Sequence, residues 1–192
     1  MPLLKEKEKF TYQDYKAWPD EERWEIIDGF AYNMSPAPAI NHQTIVGNFH
    51  TFLNVSLRGK ICRAFMAPTD VILSEFDVVQ PDVFVVCDPK KIAEKNIQGA
   101  PDLAIEIISP STATKDRREK FNLYEKYGVR EYLIVEPEAK HVERFSLNEA
   151  GQFDRREIFD AQQVISLKSL NQLEMPLWDI FGIEKNEQSL NQ

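Results

Sequence analysis

Basic charge is scarce in this chain: 23 lysines and arginines stand against 31 acidic residues, a formal net charge of −8. Proteins that bind nucleic acid usually carry a positive footprint, because neutralising phosphates supplies most of their non-specific affinity. Either a local basic patch does that work here, or the partner is not nucleic acid. Cysteine is also scarce. Cys62 and Cys87 lack zinc-ligand spacing and read as two reduced structural thiols of a cytosolic protein. No stretch approaches the ~20 apolar residues of a membrane span. The opening residues lack an apolar core with a small-residue cleavage site, so no signal peptide is expected and a cytoplasmic location is. There is no Gly-x-Ser-x-Gly, and neither cysteine has an obvious histidine partner, which leaves serine and cysteine hydrolase chemistry without a motif. Repeats and low-complexity segments are absent.

What is present suits one domain over residues 1–192, with a core at about 11–180 and a polar tail at 184–192. Thr11 to Trp18 reads as a short helix capped by Thr11 and stopped at Pro19. Trp24 to Tyr32 carries Asp28-Gly29 between apolar flanks, a hairpin signal, and Ser35 to Pro38 is a connector. Ile45, Phe49, Phe52, Leu53 and Leu57 recur at helical spacing within Asn41 to Arg58. Strand-like runs follow at about 61–66, 69–73, 82–86 and 102–108. A second long helix opens at Ser111-Thr112-Ala113 and stops at Gly128. Further strands are expected at 131–135, 141–145 and 156–159, and a short helix at 176–181. Helices alternating with strands and frequent hairpins predict an α/β fold with a mixed sheet.

Two acids stand where acids are costly. Glu106 lies inside Leu103-Ala104-Ile105-Glu106-Ile107-Ile108, and Asp82 opens Val83-Phe84-Val85-Val86 after Pro81. A buried carboxylate must be paired, hydrogen-bonded or bound to a metal. Asp102, which follows Pro101, competes with Asp82 as the partner of Glu106. Asp102 and Glu106 share a strand, however, and lie roughly 13 Å apart at ~3.3 Å per residue. One cation with oxygen ligands at ~2.1 Å cannot bridge that gap. Asp82 and Glu106 meet if their strands pair antiparallel, and they then form a site for a hard divalent cation. Taken singly, Asp82 reads as a strand-opening acid and Glu106 as half of a core salt bridge.

At about 100° per residue, Asp116, Lys120, Leu123, Tyr124 and Tyr127 share one arc of the second helix, facing the core. Arg118, Glu119, Asn122, Glu125 and Lys126 take the other arc. The helix starts a few residues after Glu106, so Lys120 can reach the same pocket. The plainer alternative is an Asp116–Lys120 ion pair at the edge of the core, worth ~0.3–0.5 kcal/mol if exposed. Tyr124 reads first as a packing residue, with a hydrogen bond into the site as the alternative.

Pro81-Asp82, Glu106-Ile107-Ile108, Ser109-Pro110-Ser111-Thr112, Asp116-Arg117, Lys120, Tyr124, Gly128-Val129 and Glu131-Tyr132 together resemble the Uma2 (DUF820) family of the PD-(D/E)xK nuclease superfamily. The similarity runs from about Thr11 to Trp178. It implies a restriction endonuclease-like mixed sheet flanked by helices and a nuclease using Mg²⁺ or Mn²⁺. By this resemblance Asp82, Glu106 and the Ile107 carbonyl match the metal ligands. The lysine that the superfamily places two residues after the glutamate is Ile108 here, and Lys120 resembles its displaced replacement. Glu25 and His42 match recurrent family positions. Glu25 could join the metal shell, and His42 is either a hydrogen-bonder at the start of the helix or a catalytic group.

The reading that follows is an endonuclease acting on nucleic acid, DNA before RNA, through metal-activated water positioned by Lys120. Two sites are needed to cut both strands of a duplex, which makes a homodimer plausible. The alternative is a degenerate nuclease fold that only binds nucleic acid or protein. A carboxylate-pair glycosidase, with acids ~5–9 Å apart around a sugar cleft, fits buried strand-borne acids and a lysine poorly.

Overall fold

A computed structural model describes residues 9–19, 22–34, 39–109 and 113–186. The connector at 35–38, the opening Ser111-Thr112 of the second helix and the end of the polar tail lie outside these. In chain order the helices are α1 (Tyr12–Tyr15), α2 (Ile40–Ser56), α3 (Ala113–Lys115), α4 (Phe121–Lys126) and α5 (Leu177–Phe181). The first strands are β1 (Trp24–Ile27), β2 (Phe30–Asn33), β3 (Arg63–Met66), β4 (Val71–Ser74), β5 (Asp77–Val79), β6 (Val83–Val86) and β7 (Ile97–Gln98). There follow β8 (Leu103–Ile107), β9 (Glu131–Glu136), β10 (His141–Ser146), β11 (Glu157–Asp160), β12 (Val164–Leu167) and β13 (Leu173–Pro176).

Local chemistry explains most of the expected elements. Thr11 and Asp14 form a reciprocal capping box at the start of α1. Asp28 and Gly29 both take positive φ, 51° and 80°, the backbone that a two-residue hairpin between β1 and β2 needs. The sequence reading misses β5, β7, β12 and β13. Two of these have only two or three residues, and β12 and β13 interleave polar with apolar side chains.

The central sheet has the order β11-β10-β9-β8-β6-β3 and is mixed: β8 and β9 run parallel and the other neighbours antiparallel. The parallel pair is connected through α3 and α4, as a parallel pair requires. Val83, Val85, Leu103, Ile105, Ile107, Leu133 and Val135 pack on one face against Ile45, Phe49 and Leu53 of α2. Phe84, Ala104, Tyr132 and Ile134 pack on the other against Leu123 and Tyr124 of α4. With both faces covered, β6 and β8 read as unbroken apolar runs rather than alternating ones. Glu106 belongs to the face under α4. A second sheet, β2-β1-β5-β4-β7, brings Glu25 of β1 to the same region, and β12 pairs with β13.

Two expectations are corrected here. Cys62 and Cys87 are not free thiols but a disulfide. Arg63 lies opposite Val86 between β3 and β6, and the next step of that register sets the two cysteines face to face. The cysteines therefore give no support to a reducing compartment. The second long helix is also not uniformly α-helical: a π-turn at Asp116–Lys120 joins α3 to α4. Among the described residues no helix is long and apolar enough to cross a membrane.

Candidate active site

The antiparallel pairing of β6 with β8, Val83 opposite Ile105, continues by one step to set Asp82 opposite Glu106. The Ile107 N–H donates to Asp82 Oδ2 at 2.8 Å, which fixes the aspartate against the end of β8. His42, in the first turn of α2, places Nε2 3.2 Å from the same oxygen. Its other ring nitrogen is buried and has no hydrogen-bond partner among the described residues. Burial lowers the His42 pKa, but the hydrogen bond and charge of Asp82 outweigh it and the net shift is upward. Asp102 is elsewhere: at the far end of β8 it accepts from the Cys87 N–H at 2.7 Å and pairs with Arg130.

Glu106 is buried beneath α4, where its Oε1 accepts from Lys120 Nζ and from the Tyr124 hydroxyl, each at 2.7 Å. Tyr124 is thus more than a packing residue. Lys120 is 2 % exposed and also lies 2.9 Å from Glu25 Oε1 and 3.9 Å from Asp116 Oδ1. The exposed-pair alternative for Asp116 and Lys120 is therefore superseded, since both are buried.

Glu25 does not stand alone beside Asp82 and Glu106. It is held by the Gln80 N–H at 3.0 Å, by Lys120, and by Lys115 Nζ at 2.5 Å. Sequence reasoning missed Lys115. Five residues from Lys120, it falls about 140° away on an α-helix. The intervening π-turn follows i→i+5 spacing and brings both ammonium groups to one carboxylate. A run of consecutive charged residues, Lys115-Asp116-Arg117-Arg118-Glu119-Lys120, was the available signal.

Among the described residues, four carboxylates, Glu25, Asp82, Glu106 and Asp116, gather around two ammonium groups, Lys115 and Lys120. Burial opposes ionisation of Glu25, yet Lys115 and Lys120 hold it down to about 2. Burial pushes Glu106 up to about 8 against the pull of Lys120, with Asp116, Asp82 and Glu25 adding to the rise. Lys120, despite burial, is held well above the ordinary lysine value by Glu106, Glu25 and Asp116. Such a set of hard oxygen donors suits a divalent cation. Among the described residues no three His, Cys, Asp or Glu side chains converge as a ready-made cage. Magnesium does not need one, since it keeps several waters and binds through one or two carboxylates.

A mixed sheet clasped between helices, with Glu106 and Lys120 buried between sheet and helix, defines a mixed α/β protein. A sequence profile for the Uma2 family, described as "Putative restriction endonuclease", matches residues 12–177, and the chain belongs to that family. Its fold is similar to a crystal structure from Anabaena variabilis described as "a putative nuclease belonging to DUF820". The TM-score is 0.74 at 21% identity, covering 90% of this chain and 98% of that one. Two uncharacterized Synechocystis proteins are also similar. One is 29% identical over 147 residues, 74% of this chain and 77% of its own length. The other is 25% identical over 128 residues, 65% and 72% respectively.

Proposed function

We propose that the protein is a metal-dependent endonuclease that hydrolyses phosphodiester bonds of DNA. The observation that carries this reading is the register of β6 against β8, which one step beyond Val83 and Ile105 sets Asp82 opposite Glu106, with Lys120 2.7 Å from Glu106. Asp82, Glu106 and the Ile107 carbonyl would hold Mg²⁺ or Mn²⁺. The bound ion would supply Lewis acidity and a lowered pKa for the attacking water.

The protein's own groups set up the rest. Lys120 remains protonated because three carboxylates surround it, so it serves as a hydrogen-bond donor and positive charge rather than as a base. It is suited to orient water and offset charge developing on the phosphate. Glu25 and Lys115 act as positioning residues: Glu25 draws Lys120 from one side while Glu106 draws it from the other. Tyr124 holds the same Glu106 oxygen and restricts its rotation. The Ile107 N–H orients Asp82, with His42 beside it. Cutting both strands of a duplex takes two such sites, which two copies of the chain would supply.

A plasmid-nicking assay with Mg²⁺ or Mn²⁺ titrated in tests the reading. Metal-dependent nicking by the wild type, lost in Asp82→Asn, supports it. Full activity in Asp82→Asn removes the assignment. DNA binding without cleavage at any metal concentration supports the degenerate binding module instead.

A further inference from the structure

The strand register carries the site's own row further across the sheet. Glu106 lies opposite Ile134, Ile134 opposite Glu143, and Glu143 opposite Ile158, so one face of β8, β9, β10 and β11 presents them in line. Glu143 is two strand spacings from Glu106, roughly 10 Å at ~4.8 Å per spacing. Above it opens a cavity of about 260 Å³ lined by Arg117, Phe121, Ile134, Glu143, Phe145 and Arg156. Arg117 follows Asp116 directly, so one π-turn feeds both the acid cluster and this groove.

Two arginines line the groove, Arg117 from the π-turn and Arg156 from the segment before β11, and each has an arginine as its chain neighbour, Arg118 and Arg155. At the base, buried Glu143 takes Arg117 Nη1 on both oxygens, at 2.8 and 2.9 Å, and Glu136 takes the other Nη at 3.1 Å. Those two acids fix Arg117. Arg156 is 52 % exposed and meets Glu143 only at 3.4 Å, while Arg118 and Arg155 are exposed. The acids next to these arginines in sequence are engaged elsewhere. Asp154 accepts from Asn148, Glu157 pairs with Arg144 and Lys168, and Glu119 lines a separate cavity beside Tyr32. Counting the chain neighbours Arg118 and Arg155, four guanidinium groups at and beside the groove stand against Glu136 and Glu143. Phe121 and Phe145 give it an apolar floor.

We propose that this groove binds the substrate strand beside the scissile phosphate, with Arg155 and Arg156 on its phosphates and Arg117 held ready at the base. The proposal rests on the nuclease reading and supplies the local basic patch that the net charge leaves missing. A reach of about 10 Å spans about three base-pair steps at ~3.4 Å of helix axis per step. Guanidinium groups suit phosphate oxygens through paired N–H donors.

Fluorescence anisotropy with a labelled 20-base-pair duplex, calcium replacing magnesium, tests it across a salt series. Arg155→Ala/Arg156→Ala should bind about tenfold more weakly than wild type, with a log–log salt slope shallower by roughly 1 for each phosphate contact removed. Arg118→Ala, on a different element, should weaken binding in the same direction. A thermal melt matching wild type confirms that the variants fold. Affinity and slope unchanged in all of these folded variants overturn the groove, as does a wild type that binds no nucleic acid. Asp82→Asn separates the two readings. If it abolishes cleavage while the arginine variants bind normally, the groove fails and the nuclease stands. If the wild type never cleaves but the arginine variants lose binding, the groove stands as a nucleic-acid surface without the nuclease.

Discussion

Lys120 and Glu106 meet at 2.7 Å with both side chains almost wholly buried, the lysine from the π-turn and the glutamate from β8. Neither charge is tolerable there alone, and the site depends on their pairing.

Replacing Lys120 with methionine leaves Glu106 and Glu25 facing each other without their shared cation. Removing one partner of a buried pair costs roughly 3–5 kcal/mol. Urea denaturation of Lys120→Met should show a loss of this size, with phosphodiesterase activity abolished. An unchanged midpoint would mean that Glu106 does not depend on the lysine for its place in the core.

Tyr124→Phe keeps the ring that packs edge-on to Tyr132 and removes only the hydroxyl bonded to Glu106. A hydrogen bond to a charged group contributes about 1.5–3 kcal/mol. Urea denaturation should report a loss within that range. A loss near zero would return Tyr124 to a packing role.

Glu25 gives a pH dependence of definite sign. Its folded pKa of about 2 lies below the ordinary glutamate value of 4.5. The ionised form therefore stabilises the fold above pH 4.5, and that contribution is lost as pH falls from about 4.5 through 2. The gap corresponds to roughly 3 kcal/mol. Stability of the wild type measured against pH should fall in this window, and Glu25→Gln should flatten that fall. Identical slopes for the two proteins would contradict the Lys115–Glu25–Lys120 arrangement.

The Cys62–Cys87 bond closes a loop with a sequence separation of 25. Loop-closure entropy assigns such a bond roughly 3.5 kcal/mol. Thiol alkylation of unreduced, denatured protein should modify neither cysteine, and Cys62→Ser/Cys87→Ser should unfold at lower urea. Two alkylated thiols in carefully air-handled protein would show that the bond does not form.

Much of this site was legible because buried charge is conspicuous in sequence. Glu106 interrupts an apolar run, and antiparallel pairing of β6 with β8 then brings Asp82 to it. The helical arc placed Asp116 and Lys120 inward, and the Asp28-Gly29 turn announced β1 and β2. Lys115 was illegible because a π-turn departs from the 3.6-residue period on which that arc was drawn. The hold of Lys115 and Lys120 on Glu25 was hidden too, since it depends on a second sheet approaching the end of the first. The disulfide depended on the register of β3 and β6, which spacing along the chain does not encode.

Anomalous scattering from a crystal soaked in manganese addresses the acid pair directly. The expected result is a peak within coordination distance of the Asp82 and Glu106 carboxylates and the Ile107 carbonyl, absent from Asp82→Asn. A fully soaked crystal with no peak there, or with manganese held only elsewhere, would contradict the assignment of these residues as a metal centre.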